Sequence, residues 1–216
     1  VSAEPGTRSR RQRWRRSRPV RPTGNGTGDE HALNAFARGI DLARLEPAQF
    51  IRLLETLHML GTAGAGFALG ELSTEALVDL VQRATRGQIK AIAEHPELRR
   101  VFLDEVFRRM SEHFNPVKAQ NAEFVVSWRF SEGQGDGGFD RFQTVVEDGL
   151  CVSGAELGRV PDTTITVSAD DFIRIATGNA TVATMFVTGR VKVKGEYAPA
   201  LRLSRYFDIP KPAEPA

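Results

Sequence analysis

The sequence predicts an α+β protein in which a helical segment precedes a five-stranded, mostly antiparallel sheet covered by short helices. Three observations lead there. Apolar residues recur at three- and four-residue spacing from about residue 30 to 115, as in helices, and switch to alternation near residue 123. Asp148-Gly149 sits between two alternating runs as a hairpin turn signal. Beyond Pro161, short strand and helix patterns follow one another, with Gly178 and Gly189 as stops.

In the helical part, Phe50, Leu53, Leu54, Leu57 and Leu60 mark one face of a helix. The run Gly61-Thr62-Ala63-Gly64-Ala65-Gly66 is too rich in glycine for a stable exposed helix and reads as a loop or a tight helix crossing. Ser73 is placed to cap the next helix, whose buried stripe is Leu77, Leu80, Val81 and Ala84. Gly87 is expected to interrupt it before Ile89, Ile92 and Ala93 resume the pattern. Pro96 opens a further helix with Val101, Phe102, Val106, Phe107 and Met110 inward and Arg99, Arg100, Arg108 and Arg109 outward. Asn115-Pro116 closes it.

Phe124, Val126, Trp128 and Phe130 share one face of the first strand. Residues 139–147 form the second, with Phe142, Thr144 and Val146 on one side; residues 150–154 form the third and 163–167 the fourth. Ser168-Ala169-Asp170-Asp171 has the form of a capping box with a short acid, and it opens a helix carrying Phe172, Ile175 and Ala176. A second short helix runs through Val182, Met185 and Phe186. Residues 190–194 alternate as the fifth strand, and 199–207 make the last helix.

The 41% hydrophobic content of the 216 residues can fill a core, in one sizeable domain or two small ones. The net charge of +2 hides an asymmetry: eight arginines against Glu4 give residues 1–28 a charge of +7 and leave −5 for the rest. A pI near 8.9 therefore describes the tail, not the folded body. Residues 1–29 read as a disordered Arg-rich tail, 30–95 as a helical extension, 96–209 as the sheet-bearing domain and 210–216 as a loose end. Clustered arginines with Trp14 suit the phosphates of a nucleic acid or an anionic membrane surface, or simply a solvated tail. The single cysteine, Cys151, forbids an intramolecular disulfide and favours a reducing, cytoplasmic setting. No apolar run of roughly 20 residues is present to span a bilayer. Ser9-Arg10-Arg11 lacks the apolar stretch that a twin-arginine signal needs, so export is not expected.

The motifs argue against catalysis. Gly133, Gly135 and Gly138 fit a dinucleotide fingerprint, but they lead into an alternating strand rather than a helix, and read as a hairpin loop. His31, His58, His95 and His113 form no metal-spaced pair with one another or with Cys151, and His95 is placed to cap a helix. Cys151 reads as a small core thiol; a nucleophile would need His95 or His113 beside it in space. No cofactor and no metal site is expected.

The most informative stretch is 161–207. It contains Asp162 opening a strand, Ser168-Ala169-Asp170-Asp171-Phe172, a helix ending at Gly178, and Gly189-Arg190-Val191-Lys192-Val193-Lys194-Gly195-Glu196 before the last helix. Over roughly residues 96–208 this resembles the sterol carrier protein type-2 domain. The segment from Leu72 to Pro116 is similar to the helical lead-in of bacterial members. The resemblance implies non-catalytic binding or transfer of a sterol, fatty acid, acyl-CoA or phospholipid in a tunnel between sheet and helices, with transient contact at a membrane surface. It makes Val126, Trp128, Phe142, Phe172, Ile175, Met185, Phe186, Val193 and Leu201 the candidate lining. Lys192 and Lys194 read as a solvated strand face rather than a headgroup clamp. The ending Pro212-Ala213-Glu214-Pro215-Ala216 does not carry the peroxisomal signal of eukaryotic members. Two other classes stay open: an accessory or enzyme domain acting on acyl or steroid substrates, and a nucleic-acid-associated protein using the arginine tail.

Overall fold

The computed structural model describes residues 26–62, 69–155 and 157–210; the arginines before residue 25, the glycine-rich stretch 63–66 and the end of the chain lie outside these. Five helices come first: α1 (Gly26–Gly39), α2 (Pro47–Thr62), α3 (Thr74–Arg83), α4 (Arg86–Glu94) and α5 (Pro96–Glu112). α1 begins ahead of the helical pattern expected from residue 30. Ser73 caps α3 as expected, its hydroxyl accepting the Ala76 N–H at 3.2 Å. The break before α4 falls at Ala84-Thr85 and not at Gly87, which lies in the first turn of α4. The reason is a capping box. Thr85 Oγ1 accepts the Gln88 N–H at 3.2 Å while Gln88 Oε1 accepts the Thr85 N–H at 2.9 Å. The Gln88 amide also donates to the Leu42 and Leu45 carbonyls at 2.8 and 2.7 Å, so a fully buried side chain is satisfied. His95 caps α5, with Nδ1 accepting the Leu98 N–H at 3.3 Å.

α5 departs from the sequence reading in one respect. Arg100 and Arg108 face outward, but Arg99 and Arg109 are only 5% and 4% exposed. Each guanidinium finds a carboxylate and carbonyls that the helical pattern does not reveal. Arg99 pairs with Asp140 at 2.6 Å and donates to the Ser131 carbonyl at 2.8 Å. Arg109 pairs with Glu105 at 2.5 Å and donates to the Leu72 carbonyl at 2.6 Å.

The sheet contains β1 (Phe124–Ser131), β2 (Phe139–Glu147), β3 (Leu150–Ala155), β4 (Thr163–Ser168) and β5 (Lys192–Gly195) in the order β3-β2-β1-β4-β5. Only the central β1–β4 pair is parallel. Asp148 and Gly149 both take positive φ, 53° and 71°, as a tight hairpin between β2 and β3 requires. Register aligns Ala155, Phe142, Trp128, Ile165 and Val193 in one row across all five strands. Helices α6 (Ala169–Ala176), α7 (Val182–Val187) and α8 (Tyr197–Arg202) complete the fold.

The C-terminal elements also differ in detail from expectation. Ser168 accepts no backbone N–H of α6; its side chain bonds to the Asp171 carboxylate instead, so the capping box does not form. β5 starts at Lys192 rather than Arg190, because the N–H groups of Arg190 and Val191 both bond to the Met185 carbonyl and finish α7. The last helix starts early, at Tyr197, and tightens into a 3-10 turn over Leu203–Tyr206. Phe207 is already extended and bridges to Phe114 at the exit of α5.

Two large apolar cores result, with a small cluster of Leu33, Ala37, Leu72 and Ala76 beside them. One lies among α2, α3, α4 and α5 and contains Phe50, Leu80, Ile92 and Phe102. The other lies on the sheet around Phe107 of α5, whose ring stacks on Phe142 at 4.5 Å and Phe172 at 5.0 Å and meets Trp128 and Phe130 edge-on. Each buried ring contributes about 1.5–3 kcal/mol. Neighbouring residues split between the cores: Phe102 and Ile173 point into the first, Leu103 and Phe172 into the second. α5 and α6 therefore belong to both.

Candidate ligand-binding site

The central strands β1 and β4 carry the floor of an apolar cavity of about 60 Å³. Trp128, Ile165 and Val167 form that floor; Phe172, Ile175 and Ala176 of α6 make one wall. Val182, Val191, Ala200 and Leu203 make the wall opposite, and Met110, Phe207 and Ile209 close one end. Local sequence explains the placement. Strand alternation turns Ile165 and Val167 to the same side as Phe172, and α8 turns Ala200 and Leu203 inward. Ser204 is the lone hydroxyl residue of the lining. Trp128 brings no unmet polar group, since its indole N–H donates to Thr144 Oγ1 at 3.0 Å.

Three of the nine candidates read from sequence meet here: Trp128, Phe172 and Ile175. Val126 is fully buried beneath the sheet core, and Phe142 is committed to its stack on Phe107. Met185 is buried in α7 and Val193 half-buried on β5, neither bordering the cavity. Phe186 and Leu201 face outward, 38% and 51% exposed. Successive helical residues diverge by about 100°, so an inward Met185 turns Phe186 out. Ala200, Leu203, Val191 and Phe207 were missed. Bulk drew the reading toward large side chains, whereas a cavity forms where small ones leave room.

A latch holds the α7 wall. Arg190, after α7, reaches Asp171 of α6 at 2.5 Å. Burial, and then Asp170 beside it, push the Asp171 carboxyl above its ordinary value against the pull of Arg190. Beyond Met110, Ala176, Phe207 and Ile209 lies a second cavity of about 40 Å³, which reaches Arg109 and His113.

The catalytic candidates do not assemble. Cys151 bonds to Ser153 Oγ at 3.6 Å, and burial pushes its thiol up to about 11, far from the thiolate a nucleophile needs. His95 is engaged with Glu55 at 2.9 Å and His113 with Thr74 at 3.0 Å. The loop with Gly133, Gly135 and Gly138 joins β1 to β2, and no helix follows it. A Cβ on Gly133 would meet the Asp140 N at 2.3 Å, which accounts for the glycine as a turn requirement. The wide cleft beside this loop, about 500 Å³, is walled by Arg99, Arg100, Arg141 and Asp140, and its Arg99 is already paired. Among the described residues no group of His, Cys, Asp and Glu can hold a metal ion, and no helix is long and apolar enough to cross a membrane.

Comparison with known proteins follows the geometry. No curated protein matches the chain. Among solved structures, the palmitated SCP2L2 of Aedes aegypti is 18% identical, with 46% of this chain and 87% of that one aligned at a TM-score of 0.39. The apo sterol carrier protein 2 of Yarrowia lipolytica is 16% identical, with 50% and 88% aligned at 0.37. The stereoselective inverting sec-alkylsulfatase Pisa1 of a Pseudomonas species is 13% identical and aligns with 83% of this chain at 0.43, yet the match spans only 32% of that enzyme. Residues 110–208 match the model of the SCP-2 sterol transfer family, a span that opens in the last turn of α5 and takes in the sheet, the cavity and its walls. The likeness to the SCP-2 sterol transfer family thus rests on residues 110–208, a little under half of the chain.

Proposed function

We propose that this protein binds an apolar lipid, of the sterol, fatty acid, acyl-CoA or phospholipid type, and carries it without chemical change in a reducing, cytoplasmic setting. The observation that carries the reading is the cavity over Trp128, Ile165 and Val167, lined almost wholly by apolar side chains inside the segment matched by the family. Burial of the ligand's apolar surface supplies the driving force. With Ser204 its lone hydroxyl and no titratable group in its lining, the site is suited to holding a chain or ring system rather than to acid–base chemistry.

At about 60 Å³ the cavity is well below the roughly 300 Å³ at which ligand pockets begin, so loading requires expansion. The wall best suited to move is α7 with α8. Both are single short helices, and Arg190 after α7 holds them to α6 through Asp171 at 2.5 Å and Asp170 at 3.9 Å. The half-buried Ile175, Ala176 and Val182 favour a mouth between α6 and α7.

The test is native mass spectrometry of the full chain purified without detergent, followed by organic extraction and titration with a fluorescent fatty acid. A stoichiometric lipid, or saturable uptake lost in Ala176→Trp with the fold intact, is the expected result. An empty protein that takes up no probe would sink the carrier reading.

A further inference from the structure

We propose that the outer side of the cavity wall, formed by α7, the edge strand β5 and α8, is a docking face for an anionic lipid bilayer. This rests on the carrier reading only for its purpose; the surface stands on its own features.

α8 is apolar on two sides. Ala200 and Leu203 face the cavity, while Tyr197 and Leu201, one turn apart, are 53% and 51% exposed. Phe186 and Val187 extend the same exterior from α7, and the Phe186 and Tyr197 rings meet edge-on at 6.2 Å. A helix in contact with apolar groups inside and presenting apolar groups outside is suited to lie between a ligand cavity and a second apolar medium.

Charge identifies that medium. Residues 186–206 hold five basic groups and one acid, Glu196, in a chain whose remainder beyond the tail is acidic. Arg190 is paired with Asp171, but Lys192, Lys194, Arg202 and Arg205 are exposed and make no ion pair among the described residues. Lys192 and Lys194 stand on the edge strand, and Arg202 and Arg205 stand either side of Ser204, which borders the cavity, with Leu201 on the outer face. Exposed apolar groups ringed by cations match anionic headgroups over acyl chains. A second copy would set cations against cations. A nucleic acid would leave Val187 and Leu201 unmatched. Elsewhere, exposed Leu150 and Val152 stand beside Glu147 and Asp148, Val160 lies between Arg159 and Asp162, and Val117 has Lys118 alone as a neighbouring cation, so none of them joins a ring of cations.

Hydrogen exchange of the full chain tests the proposal, because it separates this face from the arginine tail. Vesicles of equal parts phosphatidylcholine and phosphatidylglycerol are expected to slow exchange across 182–206, and phosphatidylcholine alone is not. Each basic group near an anionic surface is worth about fivefold in partition, so Arg202→Glu with Arg205→Glu should cut this protection by more than about tenfold. Tyr197→Ser with Leu201→Ser should abolish it, whereas Val160→Ser should not; unchanged thermal midpoints establish that the variants fold. Protection confined to residues 1–28 would overturn the proposal. So would protection of 182–206 by RNA as strong as by vesicles, or protection that rises with protein concentration alone. Fatty acid uptake measured on the same samples separates the two readings. Uptake without protection removes docking and leaves the carrier, and protection without uptake does the reverse.

Discussion

Arg109 and Glu105 show how one buried pair sets both stability and its pH dependence. Burial raises the Glu105 carboxyl, but Arg108 and Arg109 more than offset it, so its value falls below the ordinary 4.5. A depressed carboxyl contributes stability that is fully present above the unfolded value and is lost as pH falls through the folded one. Glu105→Gln should therefore cost about 3 kcal/mol at pH 7, by leaving a buried guanidinium without its countercharge. The loss should shrink as pH falls through the lowered value of Glu105, where Glu105 itself protonates. Arg109→Met should cost less, because Glu105 keeps Arg108 and the unbonded Nη1 of Arg109 disappears with the side chain. Urea denaturation of both variants at pH 7 and pH 3.5 checks the order; equal losses at both pH values would make the effect one of packing. None of this was legible in the sequence. Helical spacing put Arg99 and Arg109 outside because their carbonyl partners come from chain some 30 to 40 residues away.

At the scale of elements, local signals were reliable where the chemistry is local. The shift from helical to alternating period, the Asp148-Gly149 hairpin, the Ser73 cap and the stops at Gly178 and Gly189 all depend on adjacent residues, and all appear. The reading went astray where two local signals competed. Gly87 looked like the break before α4, yet the Thr85–Gln88 box two residues earlier had already fixed it. Thr85→Ala should cost about 1 kcal/mol, the usual worth of an N-cap. Gln88→Leu should cost more, about 2–3 kcal/mol, since it removes its half of the box, takes the side-chain donor from the Leu45 carbonyl and leaves the Leu42 carbonyl with the Leu45 N–H alone. Thermal unfolding of the two variants gives the ranking, and a Thr85→Ala loss as large as that of Gln88→Leu would contradict it. A third of the candidate lining was legible, for a related reason. Alternation found Trp128, and the α6 stripe found Phe172 and Ile175, but no local pattern marks Ala200 as a wall.

Across the whole molecule, the helical extension that the sequence suggests for residues 30–95, packed against a sheet-bearing domain, shares α5 and α6 with that domain's core. Consecutive residues on α5 and α6 feed different cores, so neither helix can stay in place if one core melts. Arg109 adds a second tie by holding the Leu72 carbonyl, and His113 a third through Thr74. The expected behaviour is one cooperative transition. Far-UV circular dichroism, dominated by helices, and Trp128 emission from the sheet core should give the same urea midpoint; the second tryptophan, Trp14, lies in the arginine tail. Ile92→Ala offers the sharper test, because Ile92 is fully buried in the helical core and away from Trp128. Its loss should cost about 2–5 kcal/mol and move both midpoints together. If it moves the helical signal alone, the first four helices are an independent unit docked on α5. The cavity wall at Met110 and Phe207 would then owe nothing to them. If both move, a lipid loaded over the sheet stabilises helices that never touch it, and ligand binding can be read from either signal.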